Sequence, residues 1–515
     1  MIETSAAYKL AITADSRRIL LRAVVDLISP DIVYGTVTSS GETIYSKSAQ
    51  LHDKVFELGA PFATLERSRW ALDGTWQIAP PDSEAQVGFE SSALFDENGE
   101  GYEFVRMPFT GVSILQSCSI YFPDKDYDGL PVDFTISVIG DTTYIETFTD
   151  NNAALVSLDG FTVNNPTAIT ISVTKWSLPY RRVRIPEIIP GIYEIWGNDL
   201  MAELSVTQQA AFTGLSVPYG TCQVSIDNSD GRFSPRNKTG LFESIEDRQG
   251  IGIYIAPEGA EYIPFGVYYQ YSGGWKSSSN GLTMTWTLVD IIGLLVKRKF
   301  SVPETLPVTL DGWVASLVAQ LGVNFSGHYS VPDNKASLSL TATAADVADK
   351  TCGQILMWLC QASETWPHAA AEDGCLALEN LPSEATNSIN LDNMTVYPVS
   401  RANDDVARLE FTLPNDSVVS VPGNSEASPN TYSIDNPFIK TAAAAQAAGA
   451  TMLNGFGGNL IETTGRGDPS NELGDILNVE LKGGETVATR LMYQCLRIQS
   501  GVMQGCQSKL LEIMG

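Results

Sequence analysis

Leu282-Thr283-Met284-Thr285-Trp286-Thr287-Leu288 places an apolar side chain at every second position with a threonine between each pair. Side chains of an extended chain point alternately to opposite faces. The segment therefore predicts a strand with one face on a core and the other in water. The same period of two returns at Cys222, Val224 and Ile226, at Ile169, Ile171 and Val173, and at Phe134, Ile136 and Val138. It returns again from Ile114 through Gln116, Cys118 and Ile120 to Phe122, with Ser113, Ser117 and Ser119 between. Turn formers separate these runs at Pro123–Asp124, Asp128–Gly129, Gly140–Asp141 and Asp159–Gly160. Short alternating strands with regular turns over residues 85–180 predict an antiparallel β-sandwich. The fold class is mainly β with a few helices.

The period changes further along. Leu310, Trp313, Val314, Leu317, Val318 and Leu321 are spaced for one face of a helix, as are Cys352, Ile355, Leu356, Leu359 and Cys360. Glu372-Asp373-Gly374 turning into Cys375–Leu378 predicts a hairpin or edge strand, and an Ala-rich helix follows over 441–453. The prolines and arginines of Leu178–Pro186 read as a connector between domains. These shifts divide the chain into an N-terminal arm (1–80), a sandwich of jelly-roll or discoidin-like type (81–185), a second β block (186–302), a helix-containing insertion (303–388) and a third β block (389–515).

At 515 residues the chain is long enough for three or four domains of about 100–200 residues each. Hydrophobic residues at 43% and charged residues at 18% make it a core-forming protein. A net charge of −28 argues against wrapping nucleic acid or docking on an anionic membrane through bulk charge. No apolar run is long enough for a transmembrane helix, and the first residues lack a secretion-signal layout. The seven cysteines are scattered without a Cys-x-x-Cys pair, which reads as reduced, mostly buried thiols of a protein made in a cytoplasm.

Candidate chemistry is sparse. Asp124, Asp126 and Asp128 stand at alternate positions before Gly129, like the opening of a calcium loop, but Thr135 occupies the place of the closing glutamate. A solvated hairpin explains the same residues. Arg466-Gly467-Asp468 sits among turn formers and reads as a structural turn before an adhesion motif. Gly455-Phe456-Gly457-Gly458 lacks the lysine and hydroxyl of a phosphate cradle. Only His52, His328 and His368 are available for imidazole chemistry, and there is no nucleophile elbow and no His-Glu-x-x-His. Tyr102, Phe104, Tyr121, Phe122 and Tyr127 are candidates for stacking on sugar rings, against the simpler role of core and cross-strand pairs. The chain is therefore read as a non-enzyme with no cofactor.

Three stretches resemble the baseplate hub proteins of tailed bacteriophages and related contractile injection particles. The first is Phe62-Ala63-Thr64-Leu65-Glu66-Arg67-Ser68-Arg69-Trp70-Ala71-Leu72-Asp73-Gly74, with Thr174-Lys175-Trp176-Ser177-Leu178-Pro179-Tyr180-Arg181-Arg182 closing the sandwich. The second is Leu215-Ser216-Val217-Pro218-Tyr219-Gly220 followed by Val224–Pro235, continued by Ile263–Tyr269 and Val289–Leu295. The third is Ser433-Ile434-Asp435-Asn436-Pro437-Phe438-Ile439 with Gly467-Asp468-Pro469-Ser470-Asn471-Glu472-Leu473-Gly474-Asp475.

The resemblance implies that 186–302 and 389–515 are two hub-type β-barrels, with 303–388 as an α/β block inserted between them. It implies a homo-oligomeric ring, commonly a trimer, in the virion tail. The ring joins the tail tube to the tip and gates passage of DNA or the tape measure. Implied partners are distal tail and tail-tube proteins, the tape measure, and tail fibre or spike proteins; DNA meets the chain only in transit. The sandwich would contact other tail proteins or a host-surface glycan. An alternative makes that sandwich the working part, as a host-recognition or carbohydrate-binding module.

Overall fold

The computed structural model describes every residue except 1, 30, 56–57, 68, 72, 79–84, 124–125, 159, 235–244, 246, 272 and 514–515, and except the side chain at 193. The chain forms two units, one of 26–194 with 231–249 and the other of 1–25, 195–230 and 250–515. Both are mainly β, with most strand pairs antiparallel.

In the first unit, Ala168–Trp176 lies at the centre of a sheet between Glu100–Thr110 and Pro131–Ile139, with Thr143–Phe148 outside the latter. Ile171 faces Val105 on one side and Ile136 on the other. The residues that alternate in the sequence are the buried ones: Phe134, Ile136, Val138, Ile169, Ile171 and Val173 join one core with Cys118, Ile120 and Phe122. The last three belong to the opposing layer, where Cys118–Tyr121 pairs with Leu155–Leu158 and Glu187–Ile189. Two inner faces sharing one core make this unit a sandwich.

The run from Ile114 to Phe122 is not one strand. Ile114–Leu115 pairs with Val163–Asn164, and a separate strand starts at Cys118. Ile114 is half exposed, whereas Ser117 and Ser119 are buried. Cys118–Tyr121 is covered on both faces, and the Ser119 hydroxyl meets that of Ser157 at 3.1 Å, so a polar side chain can sit inside. Leu178–Pro186 is not an exposed linker either. Arg184–Ile185 pairs with Phe89–Glu90, and Val183 and Ile185 enter the sandwich core.

In the second unit one sheet runs through Ile19–Ile28, Gly250–Pro257, Ile263–Tyr269, Thr283–Val289, Thr221–Asp227 and Met201–Gln209. It continues directly into Thr486–Gln499, Val502–Glu512, Asn459–Gly465 and Met394–Ala402. Met201–Gln209 is the joint, pairing with Thr221–Asp227 on one edge and Thr486–Gln499 on the other. Ile476–Glu480 also pairs with Thr486–Gln499 and carries Ala385–Ile389 in parallel. Ile389 and Met394, on the two outermost strands of this C-terminal block, flank a short 3-10 turn at Leu391–Asn393. Both pack on the core of Ile461, Leu477, Val479, Leu491 and Leu510, so the two outermost strands share one core.

The helices Leu310–Ala319 and Cys352–Ser363 bury the stripes read from the sequence, around Trp313, Leu317, Ile355 and Leu359. Thr309, Thr351 and Thr441 cap their helices by accepting from Gly312, Gln354 and Ala444 amides. Trp366–Ala369 and Leu376–Glu379 form the expected hairpin, with Gly374 at φ +72° in its turn. The Ala-rich helix Ala442–Leu453 packs on the small sheet of Arg408–Thr412, Val418–Pro422 and Thr431–Asp435. Among the described residues no helix is long and apolar enough to cross a membrane. The cysteines are unpaired; Cys495 is half-buried and the others are buried.

Candidate functional site

The first of the recognised motifs meets its partner in a buried charge network inside the sandwich unit. Glu66 and Arg69 come from the 62–74 arm, Glu90 and Arg184 from a short two-strand ribbon, and Asp128 from a turn. None is more than 6% exposed. Arg184 donates to Glu90 at 3.0 Å and to Glu66, while Arg69 donates to Asp128 at 2.9 Å and to the Phe62 carbonyl at 2.8 Å. The Arg182 amide donates to Glu66 at 2.8 Å, and Arg181 ties in the carbonyls of Tyr127 and Arg67 at 2.8 and 2.6 Å.

Burial raises the proton affinity of Glu66, but the hydrogen bonds and charge of Arg184, with Thr64 and the Arg182 amide, pull its pKa down to about 2. Burial alone would weaken protonation of Arg184; Glu90, Glu66 and Asp128 reverse that and hold the guanidinium charged. Buried ions persist where partners satisfy them, and here the pairs do so for all but Glu90 Oε1, which makes no hydrogen bond and has the Arg182 guanidinium 3.8 Å away. The arrangement fastens the arm to the sandwich and has no open face for chemistry.

The other motifs are also clasps. Asp290 accepts from the Gly220 amide at 2.5 Å and the Gly293 amide at 2.8 Å, which joins Pro218-Tyr219-Gly220 to the start of the helix Ile291–Val296. Burial pushes the Asp290 carboxyl up to about 7 against the pull of those amides. A Cβ on Gly220 would stand 2.9 Å from the Asp290 carboxylate, so glycine is what lets the clasp close. Asn436 donates to the Trp358 carbonyl at 2.8 Å and to Gln361 at 2.9 Å, and its own oxygen accepts from Phe438 at 2.9 Å. Asp475 accepts from the Glu472 amide at 2.8 Å, and Arg490 donates to the Gly474 carbonyl at 3.0 Å.

Asp124 lies outside the described residues, Asp126 is exposed, and Asp128 is engaged by Arg69. Among the described residues no three His, Cys, Asp or Glu side chains are grouped to hold a metal ion. His52 stacks on Tyr34 with ring centroids 4.0 Å apart, His328 meets the Tyr269 hydroxyl at 3.3 Å, and His368 stacks on Trp366 at 4.7 Å. Arg466-Gly467-Asp468 is half-buried and tied to its surroundings. Arg466 donates to the carbonyls of Ala14 and Asp15, and Asp468 accepts from Ser470. Phe456 of the glycine-rich run is buried, and the run follows a helix instead of opening one.

Of the candidate stacking residues, Phe122 is in the core, while Tyr102 is exposed with its ring 6.5 Å from that of Phe104. Tyr127 packs at 4.7 Å against Trp76, which leans at 5.9 Å on Trp70. Trp76, which the sequence reading did not name, and Trp70, named there only within the 62–74 motif, extend this aromatic cluster; Trp70 is 44% exposed. Glu90 and Arg184 were missed as well. The arginines interleaved with Val183 and Ile185 were the available sign, since an exposed linker has no use for that alternation.

No family model and no curated protein sequence matches the chain. Solved structures similar to it are tail and injection-machine proteins. One is the 43 kDa tail protein of prophage MuSo2 from Shewanella oneidensis, at 15% identity and TM-score 0.41, covering 62% of this chain and 95% of that one. A tail protein from Neisseria meningitidis MC58 gives 14% identity and TM-score 0.42, covering 61% and 92%. A third is an Escherichia coli component of the type VI secretion system, described as similar to the T4 bacteriophage tail proteins gp27 and gp5. It has 11% identity and TM-score 0.37, covering 61% and 74%.

Proposed function

We propose that this chain is a structural hub of a phage tail tip or baseplate, placed in the virion after synthesis in the host cytoplasm. Copies of it, three in the simplest arrangement, close into a ring that joins tail tube to tip and gates the passage of DNA or tape measure. The observation that carries this is the joint at Met201–Gln209, which fuses two strand blocks of one chain into one continuous sheet. Two such blocks per chain let a trimer offer six similar positions to a six-fold tube. Its neighbours are then distal tail and tail-tube proteins, the tape measure, and fibre or spike proteins. The 303–388 block, apart from the start of the strand Ala385–Ile389 that pairs within the second block, is an insertion between the two barrels, and the work is mechanical, with no catalytic step. Electron microscopy of the purified chain tests this: ring-shaped particles with a central opening are expected, and solitary particles at every concentration contradict it.

A second reading makes the sandwich a host-glycan module, favoured by the half-exposed Trp70 beside Trp76 and Tyr127. Stacking on sugar faces is what such side chains offer. A glycan array probed with the full chain and with Trp70→Ala checks it. Hits that vanish in the variant support the module, and an array without hits removes it.

A further inference from the structure

The second unit contains a cavity of about 200 Å³ beside the Arg466-Gly467-Asp468 turn. That is room for a monosaccharide-sized molecule, far more than the roughly 10–15 Å³ a single water needs. Its charged lining consists of Arg17, Arg466 and Asp468, two cations against one anion, in a chain whose net charge is −28. Arg17 is held in place by backbone, donating to the carbonyls of Ile12 and of Arg466 and to that of Gly467 at 3.2 Å. Burial, and then the neighbouring Arg466 charge, lower its hold on the proton, with Asp468 opposing. Arg466 commits one terminal nitrogen to Ala14 and Asp15.

The remaining wall is rich in amides. Asn387 donates to Asn471 at 2.9 Å and to Asp468 at 3.5 Å, whereas Asn390 and Asn393, at the 3-10 turn Leu391–Asn393, also line the cavity. Asp468 is already occupied by the Ser470 amide at 3.0 Å and hydroxyl at 2.7 Å. With Arg17 spent on backbone carbonyls and Asp468 on Ser470, the donors left among the described residues include the other guanidinium nitrogens of Arg466 and the side-chain amides of Asn390 and Asn393. Free donors around a cation are what recruit an anion.

We propose that this cavity binds a small oxyanion, a carboxylate or phosphate carried on a molecule no larger than a monosaccharide, with Arg466 and Asn393 as recognition residues. The proposal is independent of ring formation. Two probes separate the sources of such an anion: inorganic phosphate and D-glucuronate, with glucose as the uncharged control and sodium chloride matching ionic strength. Calorimetric titration of the full chain should show saturable binding of at least one anion and none of glucose. Phosphate alone marks a phosphate site, glucuronate alone a sugar-acid site.

Arg466→Gln removes a cation, and Asn393→Asp places a carboxylate in the wall without breaking a side-chain hydrogen bond seen here. Each should weaken binding by about tenfold or more, the worth of one hydrogen bond to a charged group. Absence of saturable binding by either anion, equal binding of glucose, or undiminished binding in Asn393→Asp with its unfolding midpoint unchanged would overturn the assignment.

Discussion

At the scale of single residues, the sandwich depends on charges that must stay paired. Arg184→Met leaves Glu66 and Glu90 facing each other without their shared cation, and a broken buried pair costs about 3–5 kcal/mol. Urea denaturation followed by tryptophan fluorescence should show that loss, and Arg184→Lys should recover little because an ammonium lacks the planar fork. A stability equal to the parent would show that the network is dispensable. Glu66 titrates in the folded state near 2, below its ordinary 4.5. Its contribution is therefore complete above about pH 4.5 and is lost as pH falls toward 2.

Glu187 has the opposite sign. It is fully buried, and burial raises its pKa to about 8, with the nearby Asp53 adding to the rise and the Lys54 and Val55 backbone amides opposing it. A carboxyl kept neutral in the fold but ionised when unfolded costs stability as pH rises from about 4.5 to about 8. Glu187→Gln should remove that slope: midpoints of variant and parent coincide near pH 4 and separate by pH 9, with the variant higher. Parallel pH profiles would refute this account of Glu187.

At the scale of elements, packing overrides propensity in a way one glycine tests. Gly449 lies inside the helix Ala442–Leu453, where alanine would ordinarily gain about 1 kcal/mol. A Cβ there would approach Val421 Cγ2 at 2.8 Å. Gly449→Ala should therefore lower the thermal midpoint, and a raised midpoint would mean that helix and sheet can move apart. Thr351→Ala removes the cap on Gln354 and should cost about 1 kcal/mol, read from the same melts.

These elements also show what a sequence reveals. Phe134, Ile136 and Val138 announce their strand because one face is wet. Cys118–Tyr121 alternates in sequence too, but Ser119 is as buried as Cys118 and Ile120, so there the period does not mark a wet face. Leu282, first of its pattern, is half exposed just before the strand Thr283–Val289, since a period of two does not mark where pairing stops. The motif residues were visible as turns, but their partners were not. Glu66 and Arg184 stand 118 positions apart, and nothing local couples a glutamate to an arginine at that distance. The cavity escaped for the same reason, because its walls come from residues 12–17, 387–393 and 463–508.

At the scale of the whole molecule, the proposed ring constrains the charge of its inner wall. A chain with 60 acidic and 32 basic residues that encircles DNA should present more Asp and Glu than Lys and Arg around the opening, so that the polyanion slides without adhering. A density map of the assembled ring shows this directly, and a basic wall would contradict it. Closure itself is the more basic question. Sedimentation equilibrium on the full-length chain across a hundredfold range of concentration measures it most directly. The account predicts one discrete species at a small whole multiple of the chain mass, three being the simplest. A monomer that persists to the highest concentration would contradict it.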